Sequence, residues 1–268
     1  ALTLLFPVTF IMGFVILYPL VRGVYLSLLK YSLIDPTGPR FIGLANFREM
    51  FGNPLYLLLM IAALICIAFA VYLIGKARLN RSALQAGSGV FVLLVGIAST
   101  AFILPYLAEA GDDGMFTSLR VTIWYSLGTV PVQLSLGLLL GSFLYQKIPA
   151  KEAILVICVL RYIVPSVASA AVFERLFSLK PESFANQVLA LFGRPPAQWL
   201  LEPKGVFYLL SGQRMAVASQ SIIADYWLSW AQGPSLALVS IMFFNWWVFV
   251  GYYALIYTNG LSNIPRQL

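Results

Sequence analysis

The sequence contains no histidine, only two cysteines and few charged residues, and each shortage excludes a class of protein. Without histidine, the chain lacks the commonest general base and metal ligand. The two cysteines, Cys66 and Cys158, lie in separate apolar stretches, so we expect neither a disulfide nor a metal site. No Walker A, H-E-x-x-H or G-x-S-x-G pattern occurs, so we expect neither catalytic residues nor a cofactor.

The scarcity of charge predicts the fold class. Only 10% of the residues are charged, 60% are hydrophobic, and the mean hydropathy is +0.87. Soluble domains carry about a quarter charged residues, so the composition predicts an all-α polytopic membrane protein surrounded by lipid. The net charge of +7 comes from scattered Lys and Arg without a basic run, and we therefore expect no nucleic-acid partner.

Six apolar stretches are long enough to cross the hydrocarbon core of a bilayer, which takes about 20 helical residues. They lie at 2–29, 55–75, 87–107, 119–145, 153–173 and 236–257. A long polar-to-mixed segment, 174–234, separates the last two. Within it the fairly apolar 206–224 is interrupted by Arg214, which favours an interfacial or docked helix over a seventh crossing.

Basic residues in the short loops predict the orientation of the chain. Lys76, Arg78 and Arg81 crowd the turn after the second stretch. Lys147 and Lys151 crowd the turn after the fourth. Six crossings place both turns on one side, which the positive-inside rule assigns to the cytoplasm.

The last apolar stretch carries polar and aromatic side chains where leucine and isoleucine would suffice. An amide in lipid needs a partner, so the face of Asn245 is expected to look into protein or water. Tyr252 follows seven residues later and shares that face, whereas Trp247 is rotated away from it. Two interpretations stay open: Asn245 lines a substrate path, or it makes an interhelical bond while the rings pack against neighbours.

Two further polar residues follow prolines inside apolar stretches. Gln133 comes after Pro131, and its amide could face a cavity or bond backbone carbonyls that the proline leaves free. Ser166 comes after Pro165, and its hydroxyl could face the same path or bond its own helix.

Two other features of these stretches concern the packing of helices in lipid. Gly137-x-x-x-Gly141 predicts a close approach between two helices. Arg161 lies well inside the fifth stretch and cannot be left bare in lipid. It either contacts substrate or a partner carboxylate, or it snorkels or pairs with another subunit.

Four blocks of the sequence occur in an order typical of one transporter family. They are FIGLANF at 41–47, FTSLRVTIWYSLGTVPVQLSLGLLLGSFLYQK at 116–147, LRYIVPSVASAAVFERLF at 160–177, and P-S-L-A-L, N-x-W and G-L-x-x-I-P-x-x-L within 234–268. In these blocks the chain resembles permease subunits of bacterial binding-protein-dependent ABC importers. The likeness is to the maltose-permease-like first subunit of carbohydrate importers.

The resemblance implies a type I ABC importer permease fold and a domain organisation. A first transmembrane helix and external segment would occupy 1–54, an inserted transmembrane hairpin 55–115, and the core permease helices 116–268, with 174–235 external. The resemblance also implies that Asn245, Trp247 and Tyr252 lie at or near the translocation path, to which we add Gln133 and Ser166.

The resemblance further implies a transport subunit without enzymatic activity, in the cytoplasmic membrane of a bacterium or archaeon. Its partners would be a second permease subunit, two ATPase subunits and an extracytoplasmic binding protein that delivers a sugar or related solute. In the family, an ATPase-docking E-A-A-x-x-x-G loop and two more helices follow the I-P pair. The sequence stops at Leu268, so it resembles the N-terminal two-thirds of a permease, truncated before that loop.

Two rival functions come from other classes of membrane protein. A non-ABC secondary transporter calls for paired inverted repeats and intramembrane acids, and neither is evident in the sequence. A membrane scaffold or assembly protein would need no substrate path at all.

Overall fold

The computed structural model describes residues 2–31, 38–80, 82–146, 148–149, 151–212 and 221–263. These residues are helical over most of their length and include one two-stranded antiparallel sheet. By its internal contacts the chain divides into two compact units, Ala1–Phe116 and Thr117–Leu268, and the boundary falls inside a long helix.

The first unit begins with a helix that widens near its middle. Helix α1 (Leu2–Met12) continues through a π-helical turn (Gly13–Leu17) into α2 (Tyr18–Ser27). Pro19 lies just after the wide turn, and its nitrogen has no proton to donate back along the helix. The Tyr18 N–H donates to the Gly13 carbonyl, five residues earlier, so the wider turn carries the chain past the proline.

The segment after α2 is held against the end of that helix by one amide. Strand β1 (Leu29–Lys30) pairs antiparallel with β2 (Arg40–Phe41), and helix α3 (Ala45–Phe51) follows. The Asn46 side chain donates to the carbonyls of Ser27 at 2.7 Å and Leu29 at 2.9 Å. Carbonyls at a helix end lack intrahelical partners, so this amide of the FIGLANF block has a structural role.

Helices α4 (Pro54–Asn80) and α5 (Ala83–Ala110) form an antiparallel hairpin with small residues at the contact. The buried residues of α4 include alanines that recur every seven positions: Ala63, Ala70 and Ala77. On α5, a Cβ at Gly96 would lie 2.7 Å from Cγ1 of Ile67, and one at Gly89 would lie 2.8 Å from Cγ1 of Ile74. Small residues on both helices therefore allow the close approach that membrane helix pairs favour.

One end of this hairpin is closed by the segments that precede and follow it. Gly52 has a φ of +62°, and a Cβ there would collide with the Ala110 carbonyl. The Asp112 N–H donates to the Met50 carbonyl at 3.0 Å. A small apolar core lies at the same end, formed by Met60, Leu107 and Phe116.

Among the described residues, seven helices lie wholly or partly in the second unit. They are α6 (Asp113–Tyr145, which begins in the first unit), α7 (Lys151–Ile163), α8 (Ser166–Leu176), α9 (Phe184–Leu191), α10 (Val206–Leu210), α11 (Ile222–Ala231) and α12 (Leu236–Ser262).

Five helical segments of the described residues are long and apolar enough to cross a membrane. They are Phe6–Ser27, Pro54–Arg78, Ala83–Ala110, Asp113–Tyr145 and Leu236–Ser262. They match five of the six predicted stretches, and the all-α polytopic membrane class is confirmed. The predicted crossing at 153–173 differs, because Pro165 divides it into α7 and α8.

Helices α6 and α12 run parallel to each other. Gly128 of α6 contacts Met242, and Gly141, further along α6, contacts Tyr257, further along α12. Two parallel helices that both span a membrane need an odd number of crossings between them. The stretch predicted for such a return crossing is 153–173.

Helices α7 and α8 run back along α12, as this return requires. A Cβ at Gly251 would lie 3.1 Å from the Cβ of Cys158 in α7. The ring of Phe173 in α8 lies 5.0 Å from that of Phe244, nearer the start of α12. The broken helix pair thus occupies the position expected for the fifth crossing.

The segment between α8 and α12 is organised around a buried amide. Asn186 of α9 is 2% exposed, and its Nδ2 donates to the carbonyls of Ser178 at 3.3 Å and Lys180 at 3.1 Å. Its Oδ1 accepts from the backbone N–H of Ala197 and from Nε1 of Trp199, both at 2.9 Å. Both ends of the amide are therefore bonded within this segment.

Helix α10 docks against the turn that leads into α12. The Val206 N–H donates to the Pro234 carbonyl at 2.9 Å, and the Phe207 N–H donates to the Gln232 carbonyl at 3.1 Å. The single interfacial or docked helix expected over 206–224 is instead a five-residue docked helix, with α11 starting at 222. Arg214 and the rest of 213–220 lie outside the described residues.

Candidate functional site

The candidate site lies where α6 and α12 meet, and it is built around two side-chain amides. Nε2 of Gln133 donates a hydrogen bond to Oδ1 of Asn245, although the residues are 112 positions apart. Gln133 is 5% exposed and Asn245 is half-buried. The structure thus brings two of the five predicted path residues together and shows the interhelical bond that was one interpretation of Asn245.

Two more side chains of α12 donate to the backbone of α6. Nε1 of Trp246 donates to the Gly128 carbonyl at 2.9 Å. The Thr258 hydroxyl lies 2.8 Å from the Ala254 carbonyl of its own helix and 3.2 Å from the Gly141 carbonyl of α6, and its single proton is shared between these two acceptors. Polar contacts therefore occur at two levels of the helix pair, one around Asn245 and Trp246 and one at Thr258.

Glycines of α6 make these contacts possible. A Cβ at Gly137 would lie 2.6 Å from the Cβ of Tyr253. One at Gly141 would lie 2.8 Å from the Cβ of Tyr257 and 2.9 Å from the Ala254 carbonyl oxygen. The close helix packing predicted from Gly137-x-x-x-Gly141 is confirmed.

Trp247 lies on a different side of α12 from Asn245, as helical spacing predicted. Its ring is 5.1 Å from that of Phe173 in α8 and 6.3 Å from that of Phe244. It belongs to a continuous set of ring contacts that we call the aromatic cluster: Phe173, Phe177, Trp199, Phe243, Phe244, Trp246 and Trp247.

The aromatic cluster borders a small apolar cavity of about 160 Å³. Ser240 and the carboxylate-bearing Glu174 also line it. The Ser240 hydroxyl lies 3.0 Å from the Leu236 carbonyl and 3.2 Å from the Trp199 carbonyl and shares its single proton between them, which ties the segment between α8 and α12 to the first turns of α12.

The remaining predicted residues lie apart from the amide pair. Tyr252 is exposed and about two helical turns beyond Asn245, with its ring 5.8 Å from that of Tyr253. Ser166 is exposed and is the first residue of α8. Arg161 lies in α7, but its side chain is outside the described part of the chain.

The chemistry available at this site is neutral. In the described ranges, no three His, Cys, Asp or Glu side chains come close enough to hold a metal ion. Amide groups donate and accept hydrogen bonds without charge, and aromatic rings offer flat apolar faces. The arrangement suits the binding of an uncharged polar molecule.

Thr258 and Phe173 are the residues here that sequence reasoning missed, and for Trp246, whose ring was expected to pack against neighbours, it missed the bond to the Gly128 carbonyl. Trp246 and Thr258 bond to backbone carbonyls, which carry no signal in the sequence. Phe173 contacts Trp247 because α8 packs against α12, and this arrangement depends on the break at Pro165. Asn245 and Trp246 are adjacent, so their polar groups point to different sides of α12. This pattern could have indicated that both sides of the helix contact protein.

The trehalose/maltose transport system permease protein MalF of Thermococcus litoralis is 25% identical to this chain over 122 residues. The match covers 46% of this chain and 37% of that protein, so the chain spans well under two thirds of this relative's length. No protein-family model matches the chain, and no solved structure matches it significantly. The resemblance to sugar-importer permeases is confirmed as a distant similarity.

Proposed function

We propose that the chain is a transmembrane permease subunit of an ATP-driven importer and forms part of the path for a sugar or related small solute. The observation that carries the proposal is the bonded amide pair, Gln133 and Asn245, between two parallel membrane helices. Polar groups inside membrane helices are costly and mark substrate paths more often than lipid contacts. The similarity to a trehalose/maltose permease protein supports a sugar as the solute.

The amide pair has a direct use in a pathway that opens and closes. When the helices are together, each amide satisfies the other, so neither is left unbonded in a dry interior. When α6 and α12 separate, the same groups become available to sugar hydroxyls. Tyr252, two turns further along the face of Asn245, would offer an aromatic face to the C–H surface of the sugar. Trp247, on another side of α12, and Ser166, at the start of α8, would line the path away from the amide pair.

The source of energy would lie on other chains. The sequence has no Walker A motif, so ATP would be hydrolysed by two separate ATPase subunits. A second permease subunit would complete the path, and an extracytoplasmic binding protein would deliver the solute. In this arrangement 116–268 supplies the core helices with 174–235 outside, 55–115 is an added hairpin, and the membrane is a bacterial or archaeal cytoplasmic membrane.

Reconstitution of the full-length protein tests this function. It would be co-expressed with the second permease, ATPase and binding protein encoded beside its gene, and the complex placed in liposomes. We expect trehalose or maltose with the binding protein to stimulate ATP hydrolysis and to accumulate inside. Uptake driven by an ion gradient without ATP would identify a secondary transporter, and a complex that moves no solute would identify a scaffold; either result overturns the proposal.

The same liposomes test the proposed path residues. Tyr252→Ala removes a ring expected to stack on the sugar, and we expect the KM for uptake to rise about tenfold. Leu139→Ala is the control, because Leu139 is an exposed residue of α6 on the side away from Gly137 and Gly141, which face α12. Equal effects of the two substitutions would exclude Tyr252 from the path.

A further inference from the structure

A groove of about 630 Å³ lies between α9, α10 and the start of α12. Its inner wall is aliphatic and includes Leu189, Leu209, Leu236 and Val239. Leu236 and Val239 belong to the first turn of α12, which is a candidate membrane span. The groove therefore lies at one end of a candidate membrane span.

The edge of the groove carries charges of both signs. Arg194 and Glu202 line it together with the amide-bearing Gln198. Arg194 follows α9, and Oε1 of Glu202 accepts from the Lys204 N–H at 3.2 Å, which orients that carboxylate. An aliphatic wall with a basic and an acidic group at its edge matches an amphiphile with a zwitterionic head.

Helix α9, which borders the groove, has an exposed apolar face. Four large apolar side chains occupy one exposed face of this helix: Phe184, Val188, Leu191 and Phe192. Leu191 is 84% exposed and Phe192 76%. The opposite face is buried through Ala185 and the bonded Asn186. A helix whose outer face is apolar and whose inner face is anchored by an amide is typical of one lying in a membrane interface.

We propose that this groove holds one phospholipid with an ethanolamine headgroup. Arg194 binds the phosphate, Glu202 binds the ammonium group, and an acyl chain lies along Leu209, Leu236 and Val239. The apolar face of α9 enters the same leaflet beside it. The site is a lipid site of the external segment and does not depend on which solute the protein carries.

The two charged residues distinguish among phospholipids. Arg194 can bind the phosphate of any phospholipid. Glu202 favours a primary ammonium, because that group donates hydrogen bonds and the quaternary ammonium of choline does not. An anionic glycerol headgroup offers Glu202 no cation. The groove therefore prefers phosphatidylethanolamine over phosphatidylcholine and phosphatidylglycerol.

Native mass spectrometry of the detergent-purified full-length protein tests the site. The three lipids, with identical acyl chains, are titrated separately, and the fraction of protein carrying one bound lipid is measured. We expect phosphatidylethanolamine to bind about tenfold more tightly than the other two, as loss of one charge-assisted contact predicts.

Three variants separate headgroup binding from chain binding. Arg194→Gln is expected to weaken all three lipids about tenfold, whereas Glu202→Gln is expected to remove only the preference for ethanolamine. Val239→Phe narrows the groove and is expected to weaken all three without changing their order. Arg175→Gln, at an exposed basic residue outside the groove, is the control and is expected to change nothing.

Three results would overturn the proposal. One is a wild-type protein that binds the three lipids equally or not at all. The second is a preference for phosphatidylethanolamine that survives both Glu202→Gln and Val239→Phe, since the lipid would then lie elsewhere. The third is binding of the purified binding protein to the lipid-free protein that Arg194→Gln weakens. The groove would then be a protein interface, and the lipid site would be wrong.

Discussion

The two long helix pairs of this protein pack by different chemistry. In the α4–α5 hairpin the closest contacts involve alanine and glycine, with Gly96 against Ile67 and Ala70 fully buried. In the α6–α12 pair the glycines are equally close to the partner helix, but polar bonds accompany them, above all Gln133 to Asn245.

This difference separates helix association from function. The hairpin shows two membrane helices packed through small and apolar residues, with Met60 and Leu107 in one apolar core and the rings of Tyr56 and Tyr106 5.8 Å apart. The α6–α12 pair therefore does not need amides in order to pack, and their presence calls for another reason. A bond between two neutral amides can be exchanged for bonds to a solute, whereas a contact between alanine and glycine cannot. Substitutions that change the small-residue packing or the polar bonds in one helix pair, with a matched change in the other, test this interpretation.

The largest effect is expected from a methyl group added at each helix contact. Gly141→Ala would place its Cβ 2.9 Å from the Ala254 carbonyl oxygen, which is backbone and cannot rotate away. Gly96→Ala would meet chiefly Cγ1 of Ile67, a side-chain atom that can move. Overpacking of this kind costs about 1–3 kcal/mol, so we expect Gly141→Ala to cost about 2–3 and Gly96→Ala about 1.

Thermal unfolding of the purified protein in detergent measures both costs. Gly75→Ala is the control, because a Cβ at that position meets nothing within 4 Å. If Gly96→Ala proves as damaging as Gly141→Ala, the two contacts are equally rigid and the proposed contrast between the pairs is wrong.

The next effect concerns the amide pair itself. Gln133→Leu or Asn245→Leu leaves the other amide without its partner, and we expect each to lower stability by about 1 kcal/mol. The double variant should cost less than the sum, because no amide is then left unbonded. Transport should be lost in all three variants, since a sugar would meet leucine in place of an amide.

A double-mutant cycle in detergent gives the coupling energy between the two residues, and sugar uptake in liposomes gives their role in transport. Additive stability costs would mean that the pair does not interact. A double variant that still transports sugar at the normal rate would make the pair purely structural.

Much of this architecture follows from local features of the sequence. Crossing positions depend on the length of apolar runs, and the requirement that Asn245 find a partner depends on the absence of water. The identity of that partner is not local, because nothing near Asn245 points to Gln133. The sequence shows Pro165 followed by Ser166 inside an apolar stretch. Whether a proline there bends the helix or divides it in two depends on the residues that pack beside it. The burial of Asn186 is likewise not a local property. Its amide is bonded by four groups outside its own helix, on Ser178, Lys180, Ala197 and Trp199.

The smallest effect on stability is expected when a hydroxyl is removed from one threonine in each helix pair. Thr100 of α5 donates to the Gly96 carbonyl of its own helix at 2.9 Å. Thr258 of α12 shares its hydroxyl proton between its own Ala254 carbonyl and the Gly141 carbonyl of α6. Valine keeps the shape and removes the hydroxyl. A carbonyl inside a helix keeps its backbone N–H partner, so Thr100→Val should leave stability nearly unchanged, while Thr258→Val should cost about 0.5–1 kcal/mol. The measurement is the change in unfolding temperature that each substitution causes. Equal changes would mean that the Thr258 hydroxyl does not stabilise the contact between α6 and α12, and that glycine packing alone holds this end of the pair.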